Sequence, residues 1–274
     1  MRTGCDSPAA TALGGAVIAA ILAVSCGSGG GGGADVGADV GGEDAARLGV
    51  EVVATYPHDP DAFTQGLVAD DGAVYESTGL YGESTVREVD LATGEPTTVV
   101  PLDASLFGEG LAAVGDELIQ LTWREGTALV YDRRSLELVG GHGYETEGWG
   151  ICFDGDRLHM TDGTATAYQR DPDTFELVDQ VTVTLDGEPL ADLNELECVD
   201  GMVWANVWQT DTVVAFDPDT GEVTTVVDAS GLLTEEERAD AGVLNGIAHL
   251  DDTDRFLLTG KHWPWVFEVR FVPR

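Results

Sequence analysis

The chain is poor in positive charge and in the residues that metal sites and nucleophilic enzymes draw on. Lys and Arg together number 13 against 50 Asp and Glu, which leaves a net charge of −37. A polyanion of that size does not hold nucleic acid through phosphate contacts, so no nucleic-acid partner is predicted. The five His and four Cys are scattered, with no cluster at metal-ligand spacing, so no metal centre is predicted either. No Ser, Thr or Cys stands in a triad-like setting. The uncharged run from Ala9 to Val24 is too short, and too rich in Ala and Gly, to span a bilayer.

That run suits the apolar region of a signal peptide instead. It ends in Leu22-Ala23-Val24-Ser25-Cys26, and small residues before a cysteine resemble a bacterial lipoprotein cleavage site. Asp6 departs from the usual basic start. Residues 1–25 are therefore predicted to be a signal peptide, with Cys26 the lipidated N-terminus on the outer face of a bacterial membrane. The alternative is a soluble secreted or periplasmic protein. Residues 26–46 contain the five glycines Gly29 to Gly33 and little that is apolar, and read as a flexible tether. The folded domain is placed at 47–274. Arg2 and Asp6 cancel, so the mature chain keeps its charge and should be soluble, self-repelling and monomeric. Cys152 and Cys198 lie in apolar strand patterns and read as two buried free thiols, although export would permit a disulfide.

The domain repeats itself. Apolar anchors at Leu67, Leu111, Ile151, Leu196 and Ile247 recur at spacings of 44, 40, 45 and 51 residues. Each begins a short strand, a tight turn at Asp or Gly and a second strand. A further signature, Asp-x-x-Thr/Ser-x-Glu, follows at Asp90, Asp132, Asp171 and Asp217. An Asp opening such a turn bonds its own main chain two residues on, and so adds a third and a fourth strand. Four strands at this period indicate a propeller blade, and five repeats an all-β, five-bladed β-propeller. The fifth repeat stops before a fourth strand. The alternating segment Val50 to Tyr56 is predicted to supply it and close the ring. The long last spacing contains Thr234-Glu235-Glu236-Glu237, a capping box opening a short helix.

Side chains at equivalent points of five blades converge at one end of the central channel. Those points carry Phe63-Thr64-Gln65-Gly66, Phe107-Gly108-Glu109-Gly110, Glu147-Gly148-Trp149-Gly150, Leu193-Asn194-Glu195-Leu196 and Leu244-Asn245-Gly246-Ile247. Glu109 stands out, a carboxylate between two glycines after an aromatic residue. Apolar surroundings raise a carboxyl pKa into the range where it can move protons. Trp123, Trp149 and Trp208 are candidates for a pocket wall, against the alternative that they pack between blades.

Phe63-Thr64-Gln65-Gly66-Leu67, Phe107-Gly108-Glu109-Gly110-Leu111, Leu193-Asn194-Glu195-Leu196-Glu197, Val203 to Asp211, Val243 to Ala248 and Thr259-Gly260-Lys261-His262-Trp263-Pro264 resemble the plant and bacterial type of glutaminyl-peptide cyclotransferase. The resemblance runs in order from about Tyr56 to Phe267. It implies a five-bladed propeller that turns the N-terminal glutamine of peptides or proteins into pyroglutamate and releases ammonia. It assigns the acid/base to Glu109 and substrate binding to Phe63, Gln65, Trp123, Trp149, Asn194, Trp208 and Lys261. The chemistry needs no cofactor, and a structural divalent cation is left open. Two rival readings stand beside it. One is a non-enzymatic propeller that binds peptides or glycans. The other is a metal-dependent lactone or ester hydrolase that uses Asn194, Glu195 and Asn245 as ligands.

Overall fold

Four Asp turns set the spacing of the strands. Asp90 Oδ1 accepts the N–H groups of Ala92 (2.9 Å) and Thr93 (3.2 Å), and Asp217 Oδ1 those of Asp219 and Thr220 (both 2.9 Å). Asp132 and Asp171 make the same bonds to Ser135 and Thr174. The turns at Asp90 and Asp217 put Gly94 and Gly221 in the left-handed region (φ 73° and 76°). The other two place Leu136 and Phe175 there (φ 54° and 61°). Both side chains are almost completely buried, and that burial offsets the backbone strain.

The computed structural model describes residues 45–274. The signal peptide at 1–25, Cys26 and all but the last two residues of the tether at 26–46 lie outside the described residues. β1 (Ala46–Pro57) opens the domain. Then come β2 (Thr64–Asp70), β3 (Ala73–Thr78), β4 (Thr85–Asp90) and β5 (Glu95–Pro101), one four-stranded sheet in that order. A second such sheet is β6 (Gly108–Val114), β7 (Glu117–Thr122), β8 (Thr127–Asp132) and β9 (Leu138–Gly143). The third is β10 (Ile151–Phe153), β11 (Leu158–Thr161), β12 (Thr166–Arg170) and β13 (Leu177–Thr182). A hairpin, β14 (Thr184–Leu185) and β15 (Glu188–Pro189), follows. The rest are β16 (Leu193–Val199), β17 (Met202–Val207), β18 (Thr212–Phe216), β19 (Val223–Asp228), β20 (Leu244–His249), β21 (Arg255–Gly260) and β22 (Trp265–Pro273).

These last strands form one eight-stranded sheet in the order β16-β17-β18-β19-β1-β22-β21-β20. β1 is its seam. It runs antiparallel to β22, from Leu48↔Pro273 to Pro57↔Trp265, as the sequence predicts. It also pairs parallel with β19 over Ala46↔Thr225 to Gly49↔Asp228, which the sequence does not foretell. The first strand of each set packs beside the first strand of the next, and β20 returns to β2. The arrangement is all-β and propeller-like. The five anchors Leu67, Leu111, Ile151, Leu196 and Ile247 are each at most 2% exposed on this inner ring.

Cys152 and Cys198 are joined in a disulfide, which corrects the expectation of free thiols. They belong to β10 and β16, inner strands that lie side by side only because the ring brings them together. Their Cα atoms are 5.5 Å apart. The capping box forms: Thr234 Oγ1 donates to Glu237 Oε2 (2.7 Å), and Glu237 N–H reaches back to Thr234 Oγ1 (3.3 Å). It opens a single 3₁₀ turn, Glu237–Ala239.

Candidate active site

Close approach of the inner strands builds the floor of the site. Gly66, Gly110 and Gly150 precede three of the anchors, and each lies against the next sheet. A Cβ on Gly150 would sit 1.9 Å from the Asn194 carbonyl oxygen, and one on Gly110 would sit 2.7 Å from that of Trp149. In the fourth repeat the equivalent position holds Glu195. Its fully buried carboxylate accepts Leu67 N–H on Oε1 (3.1 Å) and Ile247 N–H on Oε2 (3.0 Å), and so ties β16 to β2 and β20. Burial holds this carboxyl well above the usual range against those two hydrogen bonds. The oxygens that a metal-dependent hydrolase would need from Glu195 and Asn245 therefore meet main-chain N–H groups: Asn245 Oδ1 faces Glu195 N–H at 3.5 Å.

The residues just before these positions are Gln65, Glu109, Trp149, Asn194 and Asn245, one from each repeat. Gln65 Nε2 donates to Glu109 Oε1 at 2.9 Å. Gln65 Oε1 accepts from Asn245 Nδ2 at 3.0 Å, and that nitrogen also donates to the Thr64 carbonyl at 3.1 Å. Ser77 Oγ donates to the Glu109 carbonyl (2.5 Å), and Gln120 Nε2 donates to Ser77 Oγ (2.6 Å). Glu109 is 5% exposed. Burial raises its carboxyl pKa well above the ordinary value. The Lys261 charge opposes the rise, and the nearby Glu147 and Glu125 charges add to it. Lys261 is the only lysine in the chain. It is 7% exposed, and burial lowers its pKa to about 8 against the pull of Glu109. Its Nζ lies 4.6 Å from the centre of the Phe63 ring.

An aromatic wall runs from this pair. Phe63 meets Phe107 edge-on at 6.1 Å, Phe107 meets Trp123 at 5.5 Å, and Trp149 meets Trp208 edge-on at 5.5 Å. Glu147 joins the two halves. Its Oε2 accepts Trp123 Nε1 at 2.8 Å and Trp149 Nε1 at 3.1 Å, and its Oε1 accepts Arg124 Nε at 3.0 Å. The Arg124 guanidinium lies 3.6 Å over the Trp123 ring. Phe63, Trp123, Trp149 and Trp208 are all half-buried, with part of each ring left open to solvent. Trp204 and Trp263 differ. Trp204 packs against Phe256 and Phe271, and Trp263 is fully buried, so these two are core tryptophans.

The structure thus places Phe63, Gln65, Glu109 and Lys261 together, and Trp123, Trp149 and Trp208 along the adjoining wall. Asn194 lies next to Gly150, with a buried Oδ1 that has no protein partner among the described residues. Phe107 and Glu147 belong to the same constellation and were not singled out as site residues from the sequence, and so does Asn245, which was considered there only as a metal ligand of the rival hydrolase. All three stand in the repeated loop motifs, which is the signal that could have found them. A cavity of about 750 Å³ between Ala69 and Val74, Leu91 and Leu250 contains none of these residues.

This arrangement can hold a flat polar group between aromatic rings. It presents one protonatable buried carboxyl beside one buried ammonium.

Known proteins resemble this chain over most of its length. The sequence matches the family model described as glutamine cyclotransferase over residues 22–271. A curated relative from Arabidopsis thaliana, named glutaminyl-peptide cyclotransferase, is 43% identical over 227 residues, which cover 81% of this chain and 71% of the relative. The crystal structure of Myxococcus xanthus glutaminyl cyclase is similar with a TM-score of 0.77 at 38% identity, covering 84% of this chain and 99% of that one.

Proposed function

This chain belongs to the glutamine cyclotransferase family, and from that premise we propose that it cyclises N-terminal glutamine to pyroglutamate on a five-bladed propeller. The carrying observation is Glu109. It is a buried carboxyl with a raised pKa, held by Gln65 beside Lys261 at the foot of an aromatic wall. The blade count is supported by three four-stranded sheets and by the division of the eight-stranded sheet at β1 into two sets of four.

The substrate's neutral α-amine attacks the γ-carboxamide carbon of the same residue. A C–N bond forms to close the lactam, and the bond to the amide nitrogen breaks. The attacking nitrogen loses one proton and the leaving nitrogen gains one, so a single carboxyl serves both transfers and ammonia departs. Because the step is intramolecular, holding the side chain folded back on the amine supplies much of the rate. Phe63, Trp123, Trp149 and Trp208 enclose the folded chain, and Asn194 Oδ1 offers an unused buried acceptor to the amine. Lys261 donates to the γ-carbonyl oxygen as charge grows on it. The chemistry draws on no cofactor.

The test is ammonia release from a short peptide with N-terminal Gln, run beside its N-acetylated form. The free peptide should react and the acetylated one should not. A binding module would release ammonia from neither. Export supports the same setting: Cys26 carries lipid after loss of residues 1–25, and the tether at 26–46 holds the domain off the membrane. Mass spectrometry of the protein from its native membrane reads this directly. An unmodified N-terminus at another residue would refute it. The net charge of −37 supports a monomer, which sedimentation at low and high salt checks.

A further inference from the structure

We propose that Asn245, at the start of β20, is a positioning residue that decides which oxygen of Glu109 carries the shuttled proton. The inference rests on the cyclisation reading above. Gln65, Glu109, Trp149, Asn194 and Asn245 occupy one equivalent position in the five repeats. The resemblance gives a role to the first four and none to the fifth.

Asn245 is fully buried, and the main chain fixes the direction of its amide. Nδ2 donates to the Thr64 carbonyl at 3.1 Å, while Oδ1 faces Glu195 N–H at 3.5 Å. Turned over, the amide would set donor against donor and acceptor against acceptor. Held this way, Nδ2 also donates to Gln65 Oε1 at 3.0 Å. Gln65 has then committed its acceptor, and it must present Nε2 to Glu109 Oε1, 2.9 Å away. A proton on Oε1 would meet that N–H head-on. The proton of Glu109 therefore sits on Oε2, which has no protein hydrogen bond among the described residues and is left for the substrate.

The same relay sets the acidity of Glu109. A donor aimed at the carboxylate favours its ionised form and opposes burial. Without the Asn245 amide, Gln65 is free to turn over. Its carbonyl then accepts a proton from Glu109, which stabilises the acid form and draws the proton to the wrong oxygen.

The experiment compares the wild type with Asn245→Ala and Asn245→Asp. The Asp variant keeps the volume and the acceptor for Glu195 N–H but, once ionised, lacks the donor. Three quantities are read: the pH profile of kcat/KM on an N-terminal Gln peptide, the thermal midpoint, and an infrared titration of the Glu109 carboxyl. The titration is taken as a difference against Glu109→Gln in the same background. The acid limb is expected to move up by about one pH unit, from loss of one hydrogen bond to a charged group. kcat/KM at pH 7 should fall about tenfold and recover as pH rises. In a Gln65→Met background Asn245→Ala should shift neither profile nor titration, because the relay is already cut. An unmoved acid limb, or an equal shift in the Gln65→Met background, overturns the proposal. So does a uniform loss of activity at every pH together with a lower midpoint. If the wild type shows no turnover, the cyclisation reading fails, and the infrared titration alone still decides whether Asn245 sets the Glu109 proton.

Discussion

Replacing Glu109 by Gln separates the proton this group moves from the space it fills, and the two should respond in opposite directions. The side chain is 5% exposed, and its Oε1 accepts Gln65 Nε2 at 2.9 Å. The amide oxygen in Glu109→Gln can accept the same bond, so packing and orientation survive while the titratable oxygen is lost. General acid–base catalysis contributes about 10²- to 10⁴-fold, so turnover should fall by at least about 10².

Stability should move the other way. Burial first, and the Glu147 and Glu125 charges after it, hold the folded-state pKa well above 4.5 against the Lys261 charge. A folded pKa above the unfolded one gives a contribution that is present below the unfolded value and lost as pH rises through the folded value. The amide does not titrate. Glu109→Gln should therefore match the wild type near pH 4.5 and gain on it as pH rises. Every pH unit by which the folded pKa exceeds the unfolded one corresponds to about 1.4 kcal/mol. For a domain of this size that is about 3–6 °C in Tm. Lys261, held at about 8, loses a countercharge in the variant, so the comparison belongs at pH 8 and above, where Lys261 sheds its own charge at little cost. Ammonia release and calorimetry on the same preparations provide the assay. Turnover above about a tenth of wild type would refute the shuttle. A lower Tm at pH 8 would refute the view that this carboxyl is held at a cost to the fold.

His58 should make stability depend on pH through a second route. Its Nδ1 meets the Trp263 carbonyl at 2.7 Å and its Nε2 meets Glu76 Oε1 at 3.0 Å, both acceptors, so the ring is an imidazolium. Burial pulls its pKa down but Glu76 outweighs it, and the net shift is upward from 6.5. The stabilisation is complete below about pH 6.5 and lost as pH rises through the raised value. The urea midpoint should fall over that alkaline window in the wild type and fall less in His58→Asn, and equal slopes would show the ring to be neutral. Opening the Cys152–Cys198 disulfide frees a 46-residue loop. Loop entropy puts the loss at about 4 kcal/mol. That is about 8–16 °C in Tm, read with and without reductant, and a Tm unchanged by reductant would contradict it. Glu147→Ala releases both indole N–H groups. It should raise KM about tenfold and change kcat less, as steady-state kinetics will show. A fall in kcat at constant KM would place Glu147 in the chemistry instead.

Much of the fold was legible because it is local and repeated. The Asp turns announce themselves within six residues, and the apolar anchors recur at a period that fits stacked four-strand units. Closure by β1 followed from counting, since the last set was one strand short. Pairing across the ring was not legible. Nothing near Cys152 points to Cys198, and nothing in β1 announces a parallel partner in β19. The site divides the same way. Gln65 and Glu109 could be read from equivalent loops, whereas Lys261 came only from the family resemblance. Glu195 was open to the rival reading as a metal ligand because its two N–H partners, Leu67 and Ile247, are remote in sequence. The buried network of His58, Glu76, Arg87 and Asp59 was invisible for the same reason. Thr64 donates to Glu76 at 2.6 Å, so that network also steadies the residue beside Gln65.

The seam at β1 sets the order in which the molecule can be finished. A chain delivered N-terminus first presents this strand before either of its partners exists. β19 arrives only in the fourth repeat, and β22 completes the pairing at Pro273. Until then the ring is open, with one unpaired strand on hand and a strand edge waiting for it. Two unfinished copies carry the same pair of loose ends, so each could lend its first strand to the other and close as an exchanged dimer. The strand that closes the ring is also its hazard. Mutual repulsion between chains of net charge −37 works against that exchange during the interval.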